Sequence, residues 1–281
     1  MPTLLKVEIT LPELSANEAE AFFGLHADEG WEEIRTSTGM MYRFHIKDIE
    51  AGKSFAQESS GKWPNAPLNV EEIEEEEWGL AWKDFFVPVS CGERFEILPP
   101  WLENDGTEGK DPIIIEPKMA FGTGHHATTS LCLAALTDLV QSGRIDKEGS
   151  FFDLGTGSGI LAIGLAKLGM HGIGSDIDAM AIDCAKENLV INNVPSGVEL
   201  SVASVEAAEG RKFDLMVANI LSGPLIQMAQ DIIDCVADGG CLVLSGILTE
   251  QAPAVVEAYQ ACGLSEPVIK EKDEWCSLVW C

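Results

Sequence analysis

Three glycines at alternate positions, Gly155, Gly157 and Gly159, separate an apolar run from an amphipathic one. The stretch Phe151-Phe152-Asp153-Leu154-Gly155-Thr156-Gly157-Ser158-Gly159-Ile160-Leu161-Ala162 therefore reads as strand, tight loop and helix. Glycine lets the backbone turn sharply and lets a ligand reach main-chain N–H groups that a side chain would screen. The helix start behind the loop suits an anionic group such as a carboxylate or phosphate. A second apolar run, Gly172-Ile173-Gly174-Ser175-Asp176, ends in an acid. An acid roughly 20 residues after such a loop suits hydrogen bonding to ribose hydroxyls. The pair predicts a nucleoside-ligand site.

The rest of the C-terminal half repeats that alternation. Strands are expected at 151–154, 172–176, 198–203, 213–218 and 240–245, with helices at 158–168, 179–192, 224–237 and 250–261. Segments 264–271 and 276–281 are expected to pair as an antiparallel hairpin. Strands separated by helices of this length imply an α/β fold with a doubly wound, parallel sheet. Before it, Met119 to Thr129 is glycine-rich and then hydroxyl-rich, leading into a helix from about Thr128 to Val140. Such a loop reads as a lid, or with Thr129 as a plain helix cap.

The first 75 residues read differently. Strands at Leu4–Thr10, Trp31–Ser37, Met40–Lys47 and Leu68–Ile73, with helices at about 15–28 and 51–60, give the order β-α-β-β-α-β. That order predicts a small α+β, ferredoxin-like module. Glu71 to Glu77 is an acidic run that reads as linker, and Trp78 and Trp82 as its docking residues.

Composition limits the chemistry. The 281 residues carry a net charge of −28. Such a surface repels phosphate backbones, so direct nucleic-acid binding is not expected, and it draws in basic partners. Acidity serving only solubility is the competing reading. The eight cysteines show no Cys-x-x-Cys and read as free thiols of a reducing cytoplasm. The five histidines, His125 and His126 included, have no metal-ligand spacing, so no metal is expected. No apolar run reaches the length of a membrane span.

Gly157 to Ala162 formally fits a dinucleotide pattern, which would make this a dehydrogenase. Three features oppose it. Asp153 ends the strand before the first glycine, which suits a ligand ammonium and opposes a pyrophosphate. No second mononucleotide-binding half follows. Asn219 closes the 213–218 strand, placing a polar group at the carboxyl edge of the sheet. S-adenosylmethionine, with its ammonium, carboxylate and ribose, meets these demands.

Several motifs together resemble the PrmA family, methyltransferases of ribosomal large-subunit protein eleven. They are Ala120-Phe121-Gly122-Thr123-Gly124, His126, Thr128 to Leu133, the Asp153 glycine loop through Ile163, Asp176-Ile177-Asp178, Ala218-Asn219-Ile220-Leu221 and Gly223-Pro224-Leu225. Glu77-Trp78, Trp82 and Gly92-Glu93-Arg94 add to the likeness, which covers about residue 75 to the end. The resemblance implies a class I (Rossmann-like) methyltransferase domain at 116–281, a linker and lead-in at 76–115, and a substrate-recognition domain at 1–75. It implies S-adenosylmethionine as cofactor and a basic ribosomal protein as substrate, methylated on lysine or N-terminal amines by a cytoplasmic, monomeric enzyme. Another protein or a small molecule as acceptor is the alternative, and an adaptor that holds the cofactor without turnover is a third reading.

Family cofactor contacts carry over onto Thr129, Gly155, Asp176 and Asn219. The residues themselves add Asp153, Gly157 and Gly159 for the methionine end. For catalysis, the side-chain carbonyl of Asn219 and the backbone carbonyl of Ile220 are expected to orient the acceptor amine, with His126 as gate or as loop cap. The family commonly reads Gly-Thr-Gly-Thr-His-Pro-Thr-Thr; here His125 stands for a threonine and Ala127 for the proline. Losing that proline loosens the entry to the helix.

Overall fold

A computed structural model describes residues 3–12, 19, 22–23, 31–36, 39–74, 87–117, 126–194 and 196–281. The chain divides into two units, Met1–Phe86 and Val87–Cys281. The expected first helix of the small module, the linker with Trp78 and Trp82, and the loop 118–125 with His125 lie outside the described residues, apart from Ala19, Phe22 and Phe23.

In the first unit, β1 (Thr3–Leu11), β2 (Glu32–Thr36), β3 (Gly39–Ile46) and β4 (Leu68–Glu74) form one sheet in the order β2-β3-β1-β4. All neighbours run antiparallel. Helix α1 (Ile49–Lys62) joins β3 to β4 and is longer than its polar sequence suggests. Asp48 caps it, accepting from the N–H groups of Glu50 and Ala51 at 3.0 and 3.1 Å. Alternation along β1 and β3 buries Val7, Ile9, Tyr42 and Phe44, which meet Phe23 and Phe55. Phe44 packs on Phe55 and Phe23 with ring centroids 4.6 and 4.8 Å apart.

The second unit begins with a three-stranded sheet, β5 (Val89–Cys91), β6 (Phe95–Leu98) and β7 (Asp111–Ile114). Residues 87–115, expected as lead-in, belong to this unit because Cys91, Phe95, Ile97 and Ile113 are buried in its core. Helix α2 (Ala127–Gln141) follows. The main sheet is built from β8 (Ser150–Leu154), β9 (His171–Asp176), β10 (Val198–Val202), β11 (Phe213–Asn219), β12 (Val236–Leu248), β13 (Val268–Lys272) and β14 (Trp275–Trp280). Their order is β10-β9-β8-β11-β12-β14-β13. The first five are parallel; β14 and β13 return antiparallel. Helices α3 (Ile160–Lys167), α4 (Ala179–Ile191), α5 (Ser222–Gln227), α6 (Ala229–Asp234) and α7 (Ala252–Ala261) complete the unit. Two apolar clusters hold it, one with Leu133, Ile163 and Val217, the other with Met216, Ile232 and Leu244. Strand order reverses between β8 and β11, the switch point where ligands bind in such sheets.

Three expectations are corrected. The helix foreseen at 224–237 breaks at Met228 into α5 and α6. The helix foreseen from 158 starts at Ile160, because Gly159 holds φ 82° as its N-cap. Cys241 and Cys281 form a disulfide, whereas all eight thiols were expected outside any disulfide; the other six form none. Antiparallel pairing of Leu242 with Trp280 brings the two cysteines, 40 residues apart, side by side. Among the described residues no helix is long and apolar enough to cross a membrane, and no metal-binding cluster occurs.

Candidate active site

A cleft of about 760 Å³ lies along the carboxyl edge of the main sheet. Parallel pairing sets its floor. Leu154 pairs with Ser175 and with Ala218, and Asn219 with Ser245, so the ends of β8, β9, β11 and β12 lie side by side. Of the predicted residues, Gly155, Gly157, Asp176, Asn219, Ile220 and His126 line the cleft.

The glycine loop is held tightly. Gly155 and Thr156 donate to the Ser175 carbonyl at 2.8 and 2.9 Å. Asp176 joins loop and strand: its Oδ2 accepts from the Gly157 N–H at 2.9 Å and its Oδ1 from the Asp178 N–H at 3.0 Å. Gly155 has φ 72°, and a Cβ there would collide with the Ile220 side chain. The loop thus needs glycine both for its backbone and for the space over it.

Three predicted contacts sit behind the wall instead. Thr129 lies buried in the first turn of α2, while Thr128 faces the cleft. Gly159 backs onto Ala185 of α4. Asp153 is fully buried, and its Oδ2 accepts from the Thr156 hydroxyl at 2.7 Å and the Ala162 N–H at 3.1 Å. It ties the loop to α3 from beneath. Burial pushes its carboxyl up to about 7, and Oδ1 has no hydrogen-bond partner.

His126 is the N-cap of α2. Its Nδ1 accepts from the Thr128 N–H and lies 2.8 Å from the Thr128 hydroxyl. The ring meets Trp275 edge-on, with centroids 4.6 Å apart.

Several contributors were not foreseen. Gly246 lines the cleft at an irregularity of β12, where the pairing with β14 shifts between Leu244 and Ile247. It has φ 81°, and a Cβ there would strike the Ile220 carbonyl oxygen. Glycine at 246 lets β12 lie against that carbonyl. Gly246→Ala is therefore expected to lower turnover at least tenfold and the melting temperature by roughly 2–12 °C, from about 1–3 kcal/mol of strain; full activity would show that the Ile220 carbonyl needs no such clearance.

Asn188 on α4 and Asn192 at its C-cap are buried amides that tie the helix to the glycine loop and to the chain after β7. Asn188 donates to the Ser158 carbonyl at 2.8 Å and accepts from the Glu116 N–H at 3.1 Å. Asn192 exchanges two bonds with the Ile114 backbone, at 2.9 and 2.6 Å. Two asparagines four residues apart on the buried face of a helix were the available signal. On the other side, Ser222 donates to Gln251 at 2.9 Å and Tyr259 to the Leu225 carbonyl at 3.1 Å, fixing the chain just after Asn219.

The residues present fit S-adenosylmethionine. Gly155 and Gly157 present backbone without side chains to the cleft, and Asp176 offers a carboxylate at the rim. Ile177, 80% exposed, gives an apolar surface beside that carboxylate.

The profile of the family described as Ribosomal protein L11 methyltransferase (PrmA) matches residues 7–280. A ribosomal protein L11 methyltransferase of Geobacter sulfurreducens is 39% identical over 261 residues, 90% of this chain and 84% of that protein. The corresponding protein of Escherichia coli is 42% identical over 210 residues, 74% of this chain and 69% of that one. Among solved structures, a ribosomal protein L11 methylase from Lactobacillus delbrueckii subsp. bulgaricus superposes with a TM-score of 0.63 at 28% identity, covering 69% of this chain and 97% of that one.

Proposed function

Because the chain belongs to the PrmA family of ribosomal protein L11 methyltransferases, we propose that it transfers methyl groups from S-adenosylmethionine to lysine or N-terminal amines of ribosomal protein L11. The observation that carries this reading is the convergence of Gly155, Asp176 and Asn219 on one cleft at the switch point of the sheet. When bound, S-adenosylmethionine supplies an electrophilic methyl group on a sulfonium centre.

The chain's own residues do the positioning. Asp176 would hold ribose hydroxyls. The loop from Gly155 to Gly159 would hold the methionine end, with Asp153 supporting it from below. Asn219 would accept a hydrogen bond from the acceptor amine through its side-chain carbonyl, and the Ile220 backbone carbonyl would accept a second. Two such bonds turn the nitrogen lone pair toward the donor side. The amine must be neutral to react, and a free lysine has a pKa of about 10.4. The cleft residues of β11, β12 and β14 include no carboxylate to hold the ammonium form. Water would take the proton. His126 caps α2 and supports the wall.

Residues 1–75 are proposed as the substrate-recognition domain, with residues 76–86 as linker. The enzyme is read as a monomer of the cytoplasm that contacts protein and not nucleic acid. The charge of −28 suits a basic substrate protein. Methylation of L11 should then slow steeply with added salt through a lower kcat/KM, since screening shortens the reach of exposed charges. A rate independent of salt would remove charge steering from the account.

A further inference from the structure

The Cys241–Cys281 bridge stands apart from the cleft and has an open approach from one side. Cys241, on β12 beside Leu215, is fully buried, while Cys281, one residue past β14, is exposed. Cys281 also lines a groove of about 420 Å³, bounded by Ser142, Arg144, Glu266, Lys270 and Val279. None of these residues lines the cleft described above. One cysteine of the bridge thus meets solvent and the other does not.

The groove carries charges of both signs. Lys270 is held by Asp138 at 2.6 Å, and Glu266 accepts from Gln260 at 2.8 Å. Arg144 brings a guanidinium, whose planar fork suits a carboxylate. The strand beside the groove does not depend on the bridge. Leu242 pairs with Trp280, Val243 with Val279 and Leu244 with Leu278. The Trp280 indole N–H donates to the Ser265 carbonyl at 2.7 Å, and its ring stacks on Tyr259 with centroids 5.3 Å apart. Opening the bridge therefore frees residue 281 and leaves β14 in place.

We propose that the bridge is a thiol–disulfide exchange site: glutathione, an anionic peptide thiol, enters the groove beside Cys281 and opens the bridge, and glutathione disulfide closes it again. The glutathione thiolate attacks Cys281 Sγ. The bond to Cys241 Sγ breaks, and Cys241 leaves as a thiolate that takes a proton. A second glutathione thiolate attacks the glutathione sulfur of the mixed disulfide, and Cys281 leaves in turn. Two electrons and two protons pass from two glutathione thiols to the bridge, which becomes two thiols, and glutathione disulfide departs. Exchange needs access to the attacked sulfur, and Cys281 is the member of the pair that offers it. Cys241 leaves into apolar surroundings, which disfavour a thiolate, so opening is slow. The two cysteines are 40 residues apart, and the loop they close holds α7 and the hairpin. Opening it lifts a constraint on the unfolded chain. Glutathione thus sets the stability of the domain and leaves its cleft alone.

The test uses the full chain, purified without reductant. Native enzyme is incubated with reduced glutathione, alkylated under denaturing conditions and mapped by peptide mass. Cys241 and Cys281 should become alkylated together, and glutathione disulfide added before alkylation should restore the bridged peptide. The opened enzyme should melt roughly 5–15 °C lower, with S-adenosylhomocysteine affinity held within about twofold. Cys281→Ser should melt as the opened enzyme does, with no further drop in glutathione. A bridge that stays closed in excess glutathione, or opens and does not reclose, overturns the proposal, and so does an opened enzyme that melts like the closed one. Cys241→Ser exposed to glutathione disulfide should carry one glutathionyl group, on Cys281; a group on another cysteine instead, or none, overturns it too. Arg144→Ala should slow opening by glutathione roughly twofold to fivefold and leave opening by uncharged mercaptoethanol unchanged. Wild-type rates with both thiols would overturn the groove as the point of entry.

Discussion

Asn219→Ala is expected to lower turnover by roughly a hundredfold to a thousandfold, while S-adenosylhomocysteine binds within about threefold of wild type. The reason is positional. Asn219 ends β11 opposite Ser245 and lines the cleft at the switch point of the sheet. Its amide is a carbonyl acceptor on a rigid strand end, and the chain after it is pinned by Ser222 and Tyr259. Removing the acceptor frees the amine to rotate its lone pair away, which affects the reacting complex and not the resting one. Steady-state kinetics with L11 and calorimetry with S-adenosylhomocysteine separate the two. Equal losses in both would move Asn219 to the cofactor, and no loss in either would remove its role.

Asp176→Ala should do the reverse. Its carboxylate is the one that would meet two ribose hydroxyls, and it already holds the N–H groups of Gly157 and Asp178. Losing charged hydrogen bonds of this kind weakens S-adenosylhomocysteine binding by roughly tenfold to a hundredfold. Turnover at saturating donor should fall much less. Calorimetry checks the first, and unchanged affinity would reject the ribose role. The contrast between Asn219 and Asp176, neighbours in one cleft with opposite kinetic signatures, is the sharper result.

The donor side of the cleft was legible because it is local. Gly155, Gly157 and Asp176 sit at strand ends that apolar runs announce, and parallel β-α-β pairing brings such ends together by rule. Asn219 was found the same way. Asp153 was legible as a residue but not in its task. An acid before the glycines suggests a ligand partner, yet the next strands and α3 close over it, and its partners are Thr156 and Ala162. His126 was left between two roles; its capping bond is a local geometry that a missing proline obscured.

The β12–β14 side of the cleft was not legible, for a physical reason. Gly246 and Trp275 reach the cleft only through the irregular pairing of β12 with an antiparallel strand nearly thirty residues on. The expected hairpin strand began one residue after Trp275, so the indole fell in a turn. The same pairing joins Cys241 to Cys281, where composition suggested only free thiols. Register between distant strands depends on side chains from both, and no single window of sequence carries it.

Intact-mass measurement of ribosomal protein L11 after incubation with the enzyme and S-adenosylmethionine tests the central claim most directly. The account predicts mass added in methyl-sized steps with wild-type enzyme, and little or none with Asn219→Ala. Unchanged mass with wild-type enzyme that still binds S-adenosylhomocysteine would contradict it: the fold and the cofactor would stand, and L11 would not be the substrate.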